Sequence, residues 1–96
     1  MEHIGLDVEF GIGDINVNTD YIGGGYAVPT EGMVEAIKLV AGTEGVLLDP
    51  IYTGKGMAGL IDLVRKGVFK EEDRVVFWHT GGVPSLFPPR FRDLFI

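Results

Sequence analysis

The chain has 96 residues, no cysteine and a formal net charge of −6, and 46% of its residues are hydrophobic. This length fits one globular unit or part of one, and the lack of cysteine excludes disulfides and thiolate metal ligands. The acidic balance opposes binding to nucleic acid or anionic lipid, and the eight basic residues are scattered. No signal peptide or membrane-spanning pattern is visible, so we expect a cytoplasmic protein that contacts neither nucleic acid nor membrane.

The first predicted elements are a weak strand and a clear helix. Residues 14–18 alternate between polar and apolar types, which predicts a short strand. After Pro29, Thr30 can cap a helix that we expect to end at Gly42. Apolar residues recur there at helical spacing, namely Met33, Ala36, Ile37, Val40 and Ala41. The continuous apolar run at residues 46–48 is typical of a parallel strand buried on both faces.

A second helix and a third strand follow. The helix is predicted to begin near Thr53 and to end at Gly67, which can adopt the left-handed cap conformation. Its apolar stripe consists of Met57, Leu60, Ile61 and Val64. Residues 75–78 form another short apolar run. Because helices of this length alternate with the two runs, we predict an α/β fold with a parallel sheet in a three-layer arrangement.

Two loops should meet at the carboxyl ends of these strands, where ligands bind in open α/β sheets. The loop at residues 49–54 offers the Tyr52 phenol and the Thr53 hydroxyl, and the loop at residues 79–84 offers the Gly81 and Gly82 amides. Three plainer readings stay open: Thr53 as a helix cap, Tyr52 as a half-buried aromatic and the two glycines as a turn.

Three further segments have plain interpretations as well. We expect His79 to be a hydrogen-bonded core histidine and Lys55 to be a solvated charge rather than a covalent cofactor ligand. The two histidines, His3 and His79, are too far apart in sequence to suggest a metal site. The glycines at 23–25 lack the spacing of a phosphate loop, so they predict a mobile loop that delivers Tyr26 to a site, or a flexible connection.

Three motifs, at residues 25–32, 43–55 and 79–84, carry a family resemblance. In their order and spacing they resemble the C-terminal portion of the family of D-cysteine desulfhydrase and 1-aminocyclopropane-1-carboxylate deaminase. The resemblance covers about residues 10–87. It implies pyridoxal 5′-phosphate as cofactor and the tryptophan-synthase-β-like fold, fold type II. Residues 1–96 would then be the C-terminal part of a three-layer parallel-sheet domain.

The resemblance also implies roles for individual residues. Thr53 would hydrogen-bond the pyridine nitrogen of the cofactor, Tyr52 would lie over its ring, and Tyr26 would reach the substrate. Thr80 and Gly81 would complete the cofactor-binding set. The deaminase branch has glutamate in place of Thr53 and leucine in place of Thr80, so both residues favour the desulfhydrase branch, which eliminates sulfide from D-cysteine.

The family's Schiff-base lysine and its phosphate loop match no segment of this chain. None of the four lysines lies in a similar context, so we expect the chain to be inactive alone. The resemblance therefore implies a missing N-terminal portion as partner, an amino acid as substrate and a homo-oligomer when complete. The alternatives are a deaminase fragment and a non-catalytic α/β unit that self-associates. For residues 88–96 we expect only packing against a missing partner surface.

Overall fold

The computed structural model describes residue 5 and residues 7–96. The predictions about the extreme N-terminus and His3 therefore lie outside the described residues. The Cα radius of gyration is 15.7 Å, whereas a compact domain of this length has about 12–13 Å. Much of the described chain is thus spread around a small packed centre.

Helix α1 spans Glu31–Glu44. The Thr30 hydroxyl accepts a hydrogen bond from the Met33 amide at 3.1 Å, which confirms the predicted cap. The predicted end at Gly42 is wrong, because the helix continues to Gly45, which ends it with φ of 66°. A glycine is tolerated inside a helix at a modest cost, and here the left-handed Gly45 closes the last turn.

Helix α2 spans Thr53–Arg65 and is followed by Gly67 with φ of 75°, as predicted. The predicted apolar stripe is not its most buried face. Its buried residues are Thr53, Gly54, Lys55 and Gly59, whereas Val64 is 54% exposed. The reason is close helix packing: a Cβ built on Gly54 would lie 2.9 Å from Met33 Cγ and 3.0 Å from Ile37 Cδ1 of α1.

Within the described residues no β-strand forms. The predicted strand at 14–18 is wrong: residues Ile12–Asp14 form a 3₁₀ helix and irregular backbone follows. Residues 46–48 and 75–78 also lack strand pairing, and of the first run only Leu48 is buried. A strand exists only where a neighbouring strand accepts its backbone hydrogen bonds, and the described chain places none beside these runs. The predicted parallel sheet is thus absent among the residues that the structure describes.

The core is small and lies between the helices and the C-terminal tail. Met33, Ile37 and Leu48 form its buried centre. After a 3₁₀ helix at Val83–Leu86, helix α3 at Pro89–Arg92 buries Phe91. Leu94 and Phe95 also pack on this core. The tail expected to cover a partner therefore packs on its own chain, because its apolar residues complete a core that the helices leave open.

Candidate functional site

The N-terminus of α2 is organised by Asp49, whose side chain is fully buried. Its carboxylate accepts 2.8 Å hydrogen bonds from the amides of Ile51, Tyr52 and Thr53, and a 2.6 Å bond from the Thr53 hydroxyl. Asp49 thus satisfies amides that a helix start leaves without partners. We call residues 49–54 the Asp49 turn; it fixes where Tyr52 points.

Two opposing effects act on the Asp49 carboxyl. Burial raises its pKa, but the hydrogen bonds from Thr53, Tyr52 and Ile51 together outweigh burial and hold the pKa below its ordinary value. The carboxylate is therefore ionised at neutral pH. It provides a fixed, buried negative charge within the Asp49 turn.

Tyr26 and Tyr52 form an exposed pair in front of this turn. Their phenol oxygens are 2.9 Å apart, and their rings meet edge to face with centroids at 5.9 Å. The hydrogen bond with Tyr26 raises the pKa of the Tyr52 phenol, and the Asp49 charge adds to this effect. Tyr52 is 58% exposed, so it is not the half-buried aromatic of the plainer reading. The pair presents a protonated phenol at the surface.

A second loop, residues 79–82, lies against the first, and we call it the His79 bend. The Gly81 amide donates to His79 Nδ1 at 3.0 Å, so the neutral ring carries its hydrogen on Nε2, which donates to the Leu47 carbonyl at 2.7 Å. A Cβ built on Gly82 would lie 2.7 Å from Asp49 Cγ. The two loops are thus neighbours, as expected from the sequence.

The His79 bend also corrects one prediction. His79 is exposed, so it is hydrogen-bonded but not a core histidine. Gly81 and Gly82 both have positive φ, 97° and 93°, which only glycine adopts easily, and Gly82 caps the 3₁₀ helix at Val83–Leu86. The Thr80 side chain is exposed, and its hydroxyl has no hydrogen-bond partner within the described part of the chain.

A cavity of about 590 Å³ opens beside the tyrosine pair, between residues 18–27 and α2. Tyr26, Tyr52 and Lys55 contribute to its wall, together with Tyr21. The Tyr21 phenol donates to Asp62 at 2.6 Å, and this bond raises the pKa of Tyr21. The cavity is therefore concave, mostly apolar and bordered by a few polar groups, as small-molecule sites are.

Lys55 lies in the cavity wall and is only 8% exposed, so the prediction of a solvated charge is wrong. Its ammonium donates to the carbonyls of Ile22 at 2.7 Å and Gly25 at 3.0 Å. A buried ammonium needs such partners, because burial without them is costly. The sequence gives little signal for these contacts, since they join residues 30 and 33 positions apart.

The structure thus brings together Tyr26 and Tyr52, and it places the His79 bend beside the Asp49 turn. Thr53 differs from the other candidates, because it is 3% exposed and its hydroxyl already binds Asp49. Sequence reasoning missed Asp49. Its signal was local: an aspartate placed two to four residues before amides that need acceptors at a helix start.

Comparison of the sequence with known proteins assigns the chain to a family. The family described as "Pyridoxal-phosphate dependent enzyme" matches residues 1–81. The chain belongs to the pyridoxal-phosphate dependent enzymes. It is 53% identical over 74 residues to proteins named D-cysteine desulfhydrase from Salmonella newport, Salmonella heidelberg and Salmonella dublin. The match covers 77% of this chain and 23% of each relative, so the chain spans about a quarter of their length.

Membership of the pyridoxal-phosphate dependent enzymes implies the fold-type II domain, whereas the described residues contain helices and no strand. Among the described residues, no helix has the length and apolar character needed to cross a bilayer.

The donor set offers a test of whether this chain can hold pyridoxal phosphate. Within the described residues the Thr80 hydroxyl has no partner, Tyr52 is exposed, and a Cβ at Gly81 would meet only open space, so each of these three residues leaves room for a bound group. Thr53 fits less well: its single hydroxyl hydrogen goes to Asp49, and it also accepts from the Asp49 amide at 2.8 Å. A hydrogen bond from the Thr53 hydroxyl to the cofactor requires the hydrogen bond from this hydroxyl to the Asp49 carboxylate to break.

Proposed function

We propose that this chain forms the substrate-facing part of a pyridoxal-phosphate dependent lyase that converts D-cysteine to pyruvate, sulfide and ammonia. The observation that carries the proposal is the pair of exposed phenols, Tyr26 and Tyr52, held 2.9 Å apart beside a cavity. They lie in a chain that shares half of its residues, over its matched part, with proteins named D-cysteine desulfhydrase.

The parallel sheet of the fold belongs to the same proposal. Residues 46–48 and 75–78 would pair with strands of the N-terminal portion and complete the three-layer domain. Exposed side chains of the second run support this idea, since Val76 is 85% exposed and Trp78 81%. Exposed apolar side chains that lie together in this way are typical of a surface that another polypeptide covers. We propose residues 1–96 as the C-terminal part of that domain.

When bound, pyridoxal phosphate withdraws electrons from the α carbon of an amino acid. We propose Thr80, Gly81 and Tyr52 as the residues of this chain that would hold it. Thr53, predicted from the family resemblance to bind the pyridine nitrogen, would act mainly by keeping Asp49 and the Asp49 turn in place. The catalytic lysine would come from the N-terminal portion, because Lys55 is already engaged with two backbone carbonyls.

The two tyrosines would provide the proton that elimination needs. When the bond between the β carbon and sulfur breaks, its electron pair leaves with the sulfur, which must then be protonated or hydrogen-bonded. Tyr52 keeps its proton at neutral pH, since the ordinary phenol pKa of 10.0 already lies well above neutral and Tyr26 raises the pKa of Tyr52 further. A protonated Tyr52 can thus donate to the sulfur, while Tyr26 orients the phenol.

The remaining parts of the proposal concern the complete protein. Its substrate would be a small amino acid, its partner the N-terminal portion, and its assembly a homo-oligomer in the cytoplasm. The net charge of −6 and the scattered basic residues support a role without nucleic acid or membrane.

Complementation tests this function. The chain is co-expressed with the N-terminal three quarters of a D-cysteine desulfhydrase, and the purified pair is supplied with pyridoxal phosphate. We expect visible absorbance from the bound cofactor and release of sulfide from D-cysteine, with Tyr52→Phe lowering turnover about 10²-fold or more. L-cysteine is the stereochemical control.

Two results would contradict the proposal. A stable pair that binds no cofactor and releases no sulfide would favour the non-catalytic unit that self-associates. A pair that releases ammonia from 1-aminocyclopropane-1-carboxylate but no sulfide from D-cysteine would assign the chain to the deaminase branch.

A further inference from the structure

The loop that carries Tyr26 has an unusual backbone. We call residues 22–27 the Tyr26 loop. Gly23, Gly25 and Ala27 all have positive φ, at 73°, 142° and 59°. Glycine adopts such angles freely, but alanine does not, so Ala27 is strained and persists only where its surroundings hold it. The loop must therefore be held by contacts from outside itself.

The first such contact comes from Lys55 in the first turn of α2. Its ammonium binds the carbonyls of Ile22 and Gly25, which lie at the start and near the end of the loop. Lys55 contacts no carboxylate within the described residues, where the ion pairs involve Arg65, Lys66 and Arg92. Its buried charge is therefore stabilised by the carbonyl dipoles of the Tyr26 loop.

The second contact comes from the C-terminal tail. Arg90 Nη2 donates to the Ala27 carbonyl at 2.8 Å. The neighbouring Phe91 is buried at 6% exposure, which fixes α3 against the rest of the chain. Arg90 thus holds the strained residue directly after Tyr26, and Lys55 holds the residue directly before it.

We propose that Lys55 and Arg90 are positioning residues that fix the Tyr26 loop so that the Tyr26 phenol meets the Tyr52 phenol. The two cationic side chains bind three carbonyls of the loop, at Ile22, Gly25 and Ala27. The Tyr26 side chain stays exposed. In this loop, which the sequence predicts to be mobile, the carbonyls directly before and after Tyr26 accept hydrogen bonds from side chains outside the loop. The catalytic importance of this arrangement rests on the proposed function, but the anchoring itself does not.

The three tyrosines of the chain permit a direct test. In a Tyr21→Phe background, Tyr26 and Tyr52 are the only tyrosines, so any dityrosine formed within one chain must join them. Photo-oxidative coupling at low protein concentration, followed by mass spectrometry of the monomer band, measures that bond. We expect efficient coupling in the background protein and in the control Lys38→Met, which removes an exposed lysine of α1.

Loss of an anchor should separate the two phenols. We expect Lys55→Met to lower the dityrosine yield at least fivefold and Arg90→Met at least twofold, with partial recovery in Arg90→Lys. Hydrogen exchange should accelerate in a peptide covering residues 22–28 and stay slow in α1. If hydrogen exchange in α1 also accelerates in Lys55→Met, that variant has unfolded. The result for Arg90→Met then decides whether the loop is anchored. Unchanged coupling and exchange in the folded variants would overturn the proposal.

The assembled enzyme separates this inference from the proposed function. In the complemented pair, Lys55→Met should lower kcat for D-cysteine about as much as Tyr26→Phe, with cofactor absorbance retained. If coupling falls in the chain but even the unmodified pair is inactive, the anchoring stands and the proposed function fails. If the pair is active and coupling does not change, the function stands and the anchoring fails.

Discussion

The Asp49 turn and the apolar run at residues 75–78 reach opposite outcomes. In the turn, a buried carboxylate accepts hydrogen bonds from four groups within four residues. In the run, Val75, Val76 and Trp78 are 47%, 85% and 81% exposed, and no backbone bond reaches another segment of the described chain. Helical turns satisfy their polar groups locally, whereas strands depend on neighbours.

The largest test of this comparison removes the Asp49 charge. Asp49→Asn replaces a carboxylate oxygen with an amide that cannot accept from the surrounding N–H groups. We expect a loss of about 2–4 kcal/mol in the free energy of unfolding, since hydrogen bonds to charged groups contribute about 1.5–3 kcal/mol each. Urea denaturation measures it, with the exposed Asp93→Asn as control. Equal stability of the two variants would show that the turn does not depend on Asp49.

A second test concerns the close contact of α1 with α2. In Gly54→Ala the new Cβ would collide with the Asp49 carbonyl and with Met33 and Ile37. We expect a loss of about 1–3 kcal/mol, as in other overpacked cores. Gly42→Ala is the matched control, because nothing lies within 4 Å of its Cβ and it should stabilise α1 by about 0.5–1 kcal/mol. Thermal unfolding should therefore shift in opposite directions for the two variants.

The dependence of stability on pH should also reflect Asp49. Its folded-state pKa is below the ordinary value of 3.8. The stabilising contribution is therefore fully present above that value, and it is lost as the pH falls through the lower folded-state pKa. Stability measured from pH 6 down to acid should fall more steeply in the parent chain than in Asp49→Asn. Parallel curves would assign the acid sensitivity to other carboxylates.

The exposed run predicts the reverse behaviour. Val76→Ser should change the stability of the isolated chain by less than about 0.5 kcal/mol, because the side chain is almost fully exposed. The same change should weaken association with the N-terminal portion, or self-association of the chain. Analytical ultracentrifugation of both proteins checks this, with Val68→Ser, at a residue 57% exposed, as control. Equal association would mean that the run covers no partner.

The smallest effect concerns the tyrosine pair. Tyr26→Phe removes the hydrogen bond that raises the pKa of Tyr52, so the Tyr52 pKa should move back toward 10.0. Ultraviolet titration in a Tyr21→Phe background detects this shift. A Tyr52 titration that does not change in Tyr26→Phe would show that the two phenols are apart in solution.

The sequence predicted the helices well because their signals are local. The Thr30 cap and the left-handed Gly67 are decided by neighbouring residues, and both were confirmed. The predicted strands did not form among the described residues, because an apolar run can pair only where a neighbouring strand is present, and the run itself does not show whether one is. The end of α1 was misjudged for a similar reason: Gly42 weakens a helix, but Gly45 closes it.

The candidate site was predictable in part. The sequence indicated that Tyr26, Tyr52 and the two loops belong together, and the geometry places the tyrosines in contact. The environments predicted for Lys55 and His79 were wrong, and both side chains contact carbonyls that lie 30 or more residues away along the chain. Such contacts leave no periodic pattern. The functional roles of Tyr26 and Tyr52, like those of Thr53, Thr80 and Gly81, stay predictions.

The single tryptophan of the chain is the 81%-exposed Trp78. Its fluorescence therefore reports only on the surface at residues 75–78, without interference from a second indole. Emission should be red-shifted while this surface faces water and should move to shorter wavelength when another polypeptide covers it. The fluorescence of Trp78 thus reports directly when another polypeptide binds the surface at residues 75–78.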